Sequence, residues 1–171
     1  MRITILPPSV EYASSYHRWR NEATTLRFNP VKDRNLEELT ESLRISPASL
    51  MPLEQGVDHR WFINCDGQTV GTVSLSDVNK MMGTAVIGYM IGEDFHGRGI
   101  ATQAVKLWTS MIFDLTDIRR LTASVAEQNY ASLRVLEKVG YKREGLLREH
   151  FIIQGTPTNQ IVFGLLRSEW G

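Results

Sequence analysis

Two periods in the pattern of apolar positions divide this chain into strands and helices. Alternating or unbroken apolar runs, typical of strands, cover residues 2–6, 60–65, 69–75, 84–91, 121–126, 145–153 and 160–166. Apolar positions at steps of three or four, typical of helices, cover residues 10–21, 36–45, 100–115 and 130–139. The predicted order is therefore strand, two helices, three strands, helix, strand, helix and two strands.

Glycines and prolines mark the connections between these segments. Asp66-Gly67, which separates two strand-like runs, is the strongest hairpin signal in the chain. Gly140 follows the last predicted helix and suits its C-terminal cap. Residues 46–58 contain two prolines and a glycine and predict a long loop. Loops of that length are often functional.

Composition predicts a single soluble globular domain over residues 1–171, with 42% hydrophobic and 22% charged residues. Nineteen Lys and Arg balance nineteen Asp and Glu, so no overall field favours nucleic acid or an anionic membrane as a partner. The apolar stretch in MRITILPPS is too short for a signal peptide, which predicts a cytoplasmic protein. The sequence leaves a monomer and a homodimer equally open.

Cysteine and histidine usage limits the redox and metal chemistry to be expected. A single cysteine, Cys65, excludes an internal disulfide framework. It lies in the apolar run WFINC, which predicts inert packing. The four histidines have no ligand spacing such as His-Glu-x-x-His, so no metal site is expected.

The stretch DFHGRGIATQAVKLW, residues 94–108, places two glycines directly before a predicted helix. A helix N-terminus offers unpaired N–H groups and a positive dipole end, and glycines there let a phosphate approach them, so the stretch predicts a pyrophosphate site. A simple tight turn is the alternative. A dinucleotide fingerprint fits poorly, because the acidic residue expected roughly 20 positions on is missing. No Gly-Lys-Ser/Thr follows, which argues against a triphosphate loop.

Three blocks carry a resemblance to a known family. Residues 96–101, HGRGIA, resemble the acetyl-CoA pyrophosphate signature Gln/Arg-x-x-Gly-x-Gly/Ala of the GNAT superfamily of N-acetyltransferases, with His96 departing at the first position. Residues 127–145, EQNYASLRVLEKVGYKREG, resemble the Asn-x-x-Ser helix and Gly-aromatic turn of that superfamily. Residues 144–170 resemble the closing hairpin of its ribosomal-protein N-terminal acetyltransferase branch, with Asn159 where that branch usually has Asp.

The resemblance implies an α/β (α+β) fold with a mixed, mostly antiparallel sheet of about seven strands and about four helices. The sheet would split between its fourth and fifth strands, residues 84–91 and 121–126. It also implies acetyl-CoA as the cofactor, with its pantetheine arm in the split and CoA as the product. The implied cofactor contacts are Met90, Ile91, His96, Gly97, Arg98, Gly99, Ile100, Ala101, Thr102 and Asn129. The backbone of Met90 and Ile91 would polarise the acetyl carbonyl.

The resemblance also suggests catalytic roles for two side chains. Ser132 would protonate the departing thiolate, since Leu136 stands where some relatives have a tyrosine acid. Asn129 and Ser132 can equally be an ordinary helix cap and a first-turn polar residue. Glu127 is the nearest candidate for a base, acting through water, although a solvated surface carboxylate is an equal alternative.

The implied reaction is direct attack of an amine on acetyl-CoA, the acceptor being a protein N-terminal α-amine or a small amine. A CoA-binding sensor without turnover is the alternative function. Acceptor contacts are expected from the first two helices, the loop between them and the closing hairpin, with candidates Tyr16, Trp19, Arg20, Asn21, Arg27 and Phe28. Arg20 and Arg27 could meet a carboxylate or phosphate on the acceptor, and the helical spacing of the aromatic residues also fits plain core packing.

Overall fold

The computed structural model describes residues 1–171, which form seven strands and five α-helices. The strands are β1 (Ile3–Leu6), β2 (His59–Cys65), β3 (Gln68–Asn79), β4 (Thr84–Ile91), β5 (Arg120–Ala126), β6 (Lys142–Ile153) and β7 (Thr156–Leu166). The helices are α1 (Ala13–Arg20), α2 (Ala23–Phe28), α3 (Leu36–Ile45), α4 (Ile100–Leu115) and α5 (Tyr130–Val139). Short 3-10 turns cover Val10–Tyr12, Glu93–Phe95 and Arg167–Glu169.

The strands form one sheet in the order β1-β2-β3-β4-β5-β7-β6. Every neighbouring pair is antiparallel except β4 and β5, which run parallel. These two strands pair only where they begin, through Thr84 with Arg120, Ala85 with Leu121 and Val86 with Thr122. Beyond those pairs they diverge. The predicted sheet, including its split between the fourth and fifth strands, is confirmed.

The helices differ from the predicted pattern at the start of the chain. A fifth helix, α2, has only six residues, which is too short to show a helical repeat in the sequence. The helix predicted over residues 10–21 begins as a 3-10 turn, and α1 proper starts at Ala13. Ser9 caps the 3-10 turn by accepting a hydrogen bond from the Glu11 N–H at 3.4 Å.

The hairpin predicted at Asp66-Gly67 is confirmed. Both residues have positive φ, 50° and 91°, and the flanking Cys65 and Gln68 pair across the strands. These angles suit the two-residue turn whose twist matches that of its strands. A second turn of the same kind, Gln154-Gly155 with φ of 49° and 78°, joins β6 to β7. The two strands that it joins are longer than predicted from the sequence, since β6 begins at Lys142 and β7 at Thr156.

Helices cover both faces of the sheet, and alternation along each strand decides which face a side chain meets. On one face α4 and α5 pack over the main core, which includes Trp61 and Trp108. On the other face α1 and α3 enclose a smaller cluster around Phe62, with Tyr16 and Trp19 from α1. The core packing expected from the aromatic spacing of the first helix is therefore present. No helix is both long enough and apolar enough to span a membrane.

His59 makes the fold sensitive to acid. Its side chain, in β2, is only 1% exposed, and neither ring nitrogen has a hydrogen-bond partner within the protein. Burial lowers the pKa of this imidazole, and the nearby Asp58 carboxylate opposes that shift only in part. Because the folded state disfavours the imidazolium, the unfolded chain binds more protons once the pH falls below about 6.5. Stability should therefore be lost as the pH falls, not as it rises.

We expect the melting temperature to fall through this residue as the pH is lowered below about 6.5, by at most roughly 3 to 5 °C per pH unit. His59→Leu should remove most of that dependence, because leucine is apolar and does not titrate. The matched control is His150→Leu, at an exposed histidine of β6, which should keep the wild-type dependence. Identical melting profiles against pH for wild type and His59→Leu would show that another group is responsible.

Candidate active site

A cleft of about 890 Å³ opens where β4 and β5 diverge. It runs through the sheet, from the side of α4 and α5 to the side of α1 and α2. Every residue predicted to contact the cofactor lies in its wall, and so does Ser132. These residues are Met90, Ile91, His96, Gly97, Arg98, Gly99, Ile100, Ala101, Thr102 and Asn129. The structure thus brings segments 90–102 and 129–132 together, although they are distant in sequence.

The start of α4 is an uncapped helix N-terminus that faces this cleft. Gly99 is the N-cap residue, and no side chain bonds the first-turn N–H groups. Gly97 and Gly99 have φ of 74° and 75°, in the left-handed region that glycine adopts most easily. A Cβ on either glycine would find no atom within 4 Å. The glycines therefore serve the backbone conformation and leave the unpaired N–H groups open to an anion.

Cations line the same end of the cleft. They are Arg98 next to the glycines, and Arg134 and Lys138, which are one turn apart on α5. None of the three forms an ion pair with a carboxylate of the protein. Arg98 instead donates to the backbone carbonyl of Asp94 at 2.8 Å. Free cations beside an uncapped helix N-terminus fit a ligand that carries several phosphates.

The free edge of β4 supplies backbone groups to the split. The Gly92 N–H donates to the Val70 carbonyl at 3.0 Å, so Gly92 faces β3. Backbone groups alternate along a strand, which means that Met90 also faces β3 while Tyr89 and Ile91 face the split. The Ile91 carbonyl accepts a hydrogen bond from Nε2 of His96 at 2.8 Å. Of the two residues expected to act through their backbone, Ile91 therefore directs its N–H into the cleft, whereas the N–H of Met90 points to β3. Met90 lines the cleft with its side chain.

Ser132 is held by two neighbours at the start of α5. Its N–H donates to Oδ1 of Asn129 at 3.2 Å, so Asn129 does act as a helix cap. Its Oγ lies 2.6 Å from the phenol oxygen of Tyr89, which is also 3.1 Å from the Ser132 carbonyl oxygen. Burial raises the pKa of Tyr89 to about 12, so the phenol keeps its proton at neutral pH. When the phenol donates to Oγ, the serine proton is available to another acceptor.

Sequence reasoning missed Tyr89. In the alternation Ile87-Tyr89-Ile91, the tyrosine is indistinguishable from an aromatic residue of the core. Its side chain does pack against the main core, and its hydroxyl bonds Ser132 on α5. Forty-three positions separate it from Ser132, so no local pattern could have joined the two residues.

Glu127 lies outside the cleft wall. It is exposed just beyond the end of β5, and its Oε2 accepts a hydrogen bond from Nδ2 of Asn159 at 3.0 Å. The Glu127 N–H also donates to the Asn159 carbonyl at 3.0 Å. The structure therefore gives Glu127 a hydrogen-bond partner on β7 and no hydrogen bond to Ser132. Its role as the base stays a prediction.

The acceptor residues expected from the first helices separate into two groups. Tyr16, Arg20 and Phe28 line the cleft, whereas Trp19, Asn21 and Arg27 do not. Trp19 is fully buried in the smaller core cluster. Other elements add wall residues on the α1 side that sequence reasoning missed, among them Arg60, Ser74 and Gln160. Nothing in their local sequence distinguishes them from ordinary strand residues.

A sequence family matches most of the chain. Residues 2–142 match the family described as the acetyltransferase (GNAT) domain. The chain belongs to the GNAT acetyltransferase family. It is 35% identical over 109 residues to the probable N-acetyltransferase YjcK of Bacillus subtilis, which covers 63% of this chain and 60% of that protein. Across the first relatives that it matches, the chain spans only 56% to 60% of their length.

Solved structures share the GNAT fold over nearly the whole chain. One is the spermidine N-acetyltransferase from Vibrio cholerae in complex with CoA and spermine, with a TM-score of 0.84 and 19% identity, covering 98% of this chain and 97% of that one. Another is the ribosomal-protein-S5-alanine acetyltransferase from Vibrio fischeri, with a TM-score of 0.84 and 19% identity, covering 100% and 96%. At this level of identity the likeness establishes the GNAT fold and not the acceptor.

Proposed function

We propose that this GNAT protein is an acetyl-CoA-dependent N-acetyltransferase, in which a primary amine attacks the acetyl thioester directly in a ternary complex. The acceptor is a protein N-terminal α-amine or a small amine. The observation that carries the proposal is the cleft through the split sheet, with an uncapped helix N-terminus at one end and a hydroxyl pair beside it. Matched relatives are named for acetylation of spermidine and of a ribosomal-protein alanine, both of which offer amines.

The residues of the split fit acetyl-CoA by their donors and charges. The N–H groups from Gly97 to Ala101 would hold its pyrophosphate, and Arg134 and Lys138 would meet further phosphate charge. The Ile91 N–H would donate to the acetyl oxygen and stabilise the negative charge that develops there. Bound acetyl-CoA supplies an acetyl group activated as a thioester.

Ser132 is the proposed proton donor to the departing sulphur. The N–C bond forms as the C–S bond breaks, and the proton that the amine gives up replaces the one that the thiolate takes. A thiol pKa near 8.5 means that the leaving group needs only modest help. Tyr89, whose pKa is raised to about 12, is a poor net acid. It acts by donating to Ser132 Oγ, which fixes the serine hydroxyl.

Positive charge around the cleft, and not a neighbouring base, favours the neutral form of the amine. None of its wall residues is Asp or Glu, while seven are Arg or Lys. Nearby positive charge disfavours an ammonium and lowers the pKa of a bound amine, which populates the nucleophilic neutral form. An N-terminal α-amine, with a pKa of about 7.7 to 8.0, needs the smallest shift.

Glu127→Gln decides whether a carboxylate base is needed in addition. Since Glu127 lies outside the cleft wall, we expect kcat/KM and its pH dependence to stay within about twofold of wild type. The measurement is a pH profile of kcat/KM for both proteins. Loss of the acidic limb of that profile in Glu127→Gln would instead establish Glu127 as the base acting through water.

The function itself is tested by a transfer assay with purified protein. Acetyl-CoA and a panel of primary amines are incubated together, and acetylated amine and free CoA are quantified by mass spectrometry. We expect equal amounts of the two products. Double-reciprocal plots of the initial rate, measured while both substrate concentrations are varied, should give intersecting lines. CoA release without acetylated amine, or a stable acetylated protein, would contradict direct attack.

A further inference from the structure

We infer that the acceptor is an amine that also carries an anionic group, a carboxylate or a phosphate, bound by Arg20 and Arg60 at the α1 end of the cleft. This inference rests on the proposed transferase function and names the substrate class of that site. Three observations carry it: the distribution of charge in the cleft, the free donors of the two arginines, and an unpaired amide on β7.

The charge of the cleft is far from that of the whole chain. The protein has nineteen basic and nineteen acidic residues, and the cleft wall contains seven of the former and none of the latter. Arg98, Arg134 and Lys138 account for the α4 and α5 end. Four cations remain at the other end, which the phosphates of acetyl-CoA do not need: Arg20, Lys32, Arg34 and Arg60.

Strand alternation places Arg60 on the acceptor side of the sheet. Trp61 belongs to the core under α4, so Arg60 and Phe62 point to the opposite face, where α1 lies. The guanidinium of Arg60 lies 5.1 Å from the Tyr16 ring centroid, and that of Arg20 lies 5.6 Å from the same centroid. One aromatic ring therefore holds both guanidiniums at the same end of the cleft.

Both arginines keep donors for a ligand. Arg60 donates only to Thr72 Oγ1, at 3.4 Å, and Arg20 donates to the Tyr16 hydroxyl at 3.4 Å and to the Lys32 carbonyl at 2.6 Å. A guanidinium has five N–H groups, so most remain unused. Neither residue has a carboxylate partner, although both are partly buried. Free, partly desolvated guanidiniums are suited to bidentate binding of a carboxylate or phosphate.

Gln160 provides the complementary contact for the amine. It is 1% exposed, lines the cleft, and its Oε1 has no hydrogen-bond partner in the protein. Ile161 and Phe163 on the same strand point into the core on the α4 side. Because side chains alternate along a strand, Gln160 points to the opposite face, the one that Arg60 meets. An amide oxygen can accept from the N–H of a neutral amine, which leaves the amine lone pair for attack. Buried acceptors without a partner are rare, which marks this one as a contact for a ligand.

The same charges argue against a polyamine. Spermidine carries several ammonium groups, and the cleft offers them cations and no carboxylate. Like charges brought together in a partly dry cleft repel. The acceptor of this chain should therefore differ in charge from the acceptor named for the spermidine relatives.

The test compares acceptors in matched pairs that differ only in the anionic group. The pairs are β-alanine with β-alaninamide, O-phosphoethanolamine with ethanolamine, and the peptide amide Ser-Asp-Asp-Ala with Ser-Asn-Asn-Ala. Spermidine is added as the cationic acceptor. We expect the anionic member to have a kcat/KM at least about tenfold higher in one pair or more, with spermidine the poorest acceptor. The pair that responds identifies the source of the anion as carboxylate, phosphate or acidic peptide.

Variants assign that preference to named residues. Arg20→Met and Arg60→Met should each lower the ratio of anionic to neutral kcat/KM by about tenfold or more, because the anionic acceptor alone loses a guanidinium partner for its charge. Gln160→Leu should raise KM for both members equally. Arg44→Met is the control, because Arg44 lies on α3 outside the cleft and pairs with Glu41. The ratio is measured within each protein, so it is insensitive to partial loss of folded protein.

Failure of the inference and failure of the transferase function are distinguishable. Turnover of neutral amines or spermidine at least as good as that of every anionic partner would overturn the inference and leave the transferase intact. No turnover with any amine, in a protein that binds acetyl-CoA, would overturn the transferase and the inference with it. A preference for anions that survives both arginine variants would also overturn the assignment to Arg20 and Arg60.

Discussion

Replacing Gly99 with alanine is expected to weaken acetyl-CoA binding at least about tenfold, with a loss of thermal stability no larger than the same change causes in a distant turn. Gly99 has a φ of 75° and precedes the first turn of α4, whose N–H groups have no side-chain cap. The added methyl group strains that backbone and stands where a phosphate must approach. Both effects act on the anion site, whereas the rest of the cleft is unchanged.

Gly155→Ala is the matched control, and it separates strain from binding. Gly155 has nearly the same φ, 78°, and a Cβ there would also find no atom within 4 Å. It lies in the turn between β6 and β7, outside the cleft wall. Calorimetric titration with acetyl-CoA should therefore show wild-type affinity for Gly155→Ala and a loss only for Gly99→Ala. Equal affinities in the two variants would mean that the glycines form a turn and nothing more.

Replacing Ser132 with alanine is expected to lower kcat by about 100-fold or more, with little change in acetyl-CoA affinity. In the proposed mechanism its hydroxyl protonates the leaving sulphur, and the 2.6 Å contact with the Tyr89 phenol holds that hydroxyl in place. The helix start should survive, because Asn129 bonds the backbone N–H of residue 132 and not its side chain. Steady-state kinetics and calorimetry on the same preparation separate the effect on turnover from the effect on binding.

Two further variants define what the Ser132 result means. Tyr89→Phe should lower kcat by a smaller factor, about tenfold, since Ser132 then keeps its proton but loses the donor that fixes it. Ser110→Ala, in α4 and outside the cleft wall, should behave as wild type. Unchanged acetyl transfer in Ser132→Ala would exclude the serine as proton donor. A chain that only senses CoA would show no turnover in any of these proteins.

Local chemistry explains which parts of the fold were predictable. The Asp66-Gly67 turn and the glycines before α4 depend on positive φ, which few residues adopt, so their sequence alone indicates the conformation. The apolar stripe of α4 spans 16 residues, which is long enough for the helical period to be recognised in the sequence. Helix α2 has six residues and two threonines, and contacts distant in sequence, not propensity, decide that it forms.

The site was predictable only where it is local. The predicted phosphate-binding segment lies within one loop and one helix start, whereas Tyr89 and Ser132 meet across 43 positions. The sequence points to Glu127 as the base because it is the carboxylate at the end of the fifth strand, whereas the structure pairs it with Asn159. The positive charge of the cleft depends on which face of the sheet each side chain meets. It cannot be predicted from the composition, because the chain as a whole has no net charge.

The most direct test of the account is a crystal structure of the protein with acetyl-CoA. We predict that the pyrophosphate binds the N–H groups from Gly97 to Ala101, with the pantetheine arm between β4 and β5 and the sulphur within hydrogen-bonding reach of Ser132 Oγ. Acetyl-CoA bound outside the split, or with its phosphates away from the start of α4, would contradict the account at its centre.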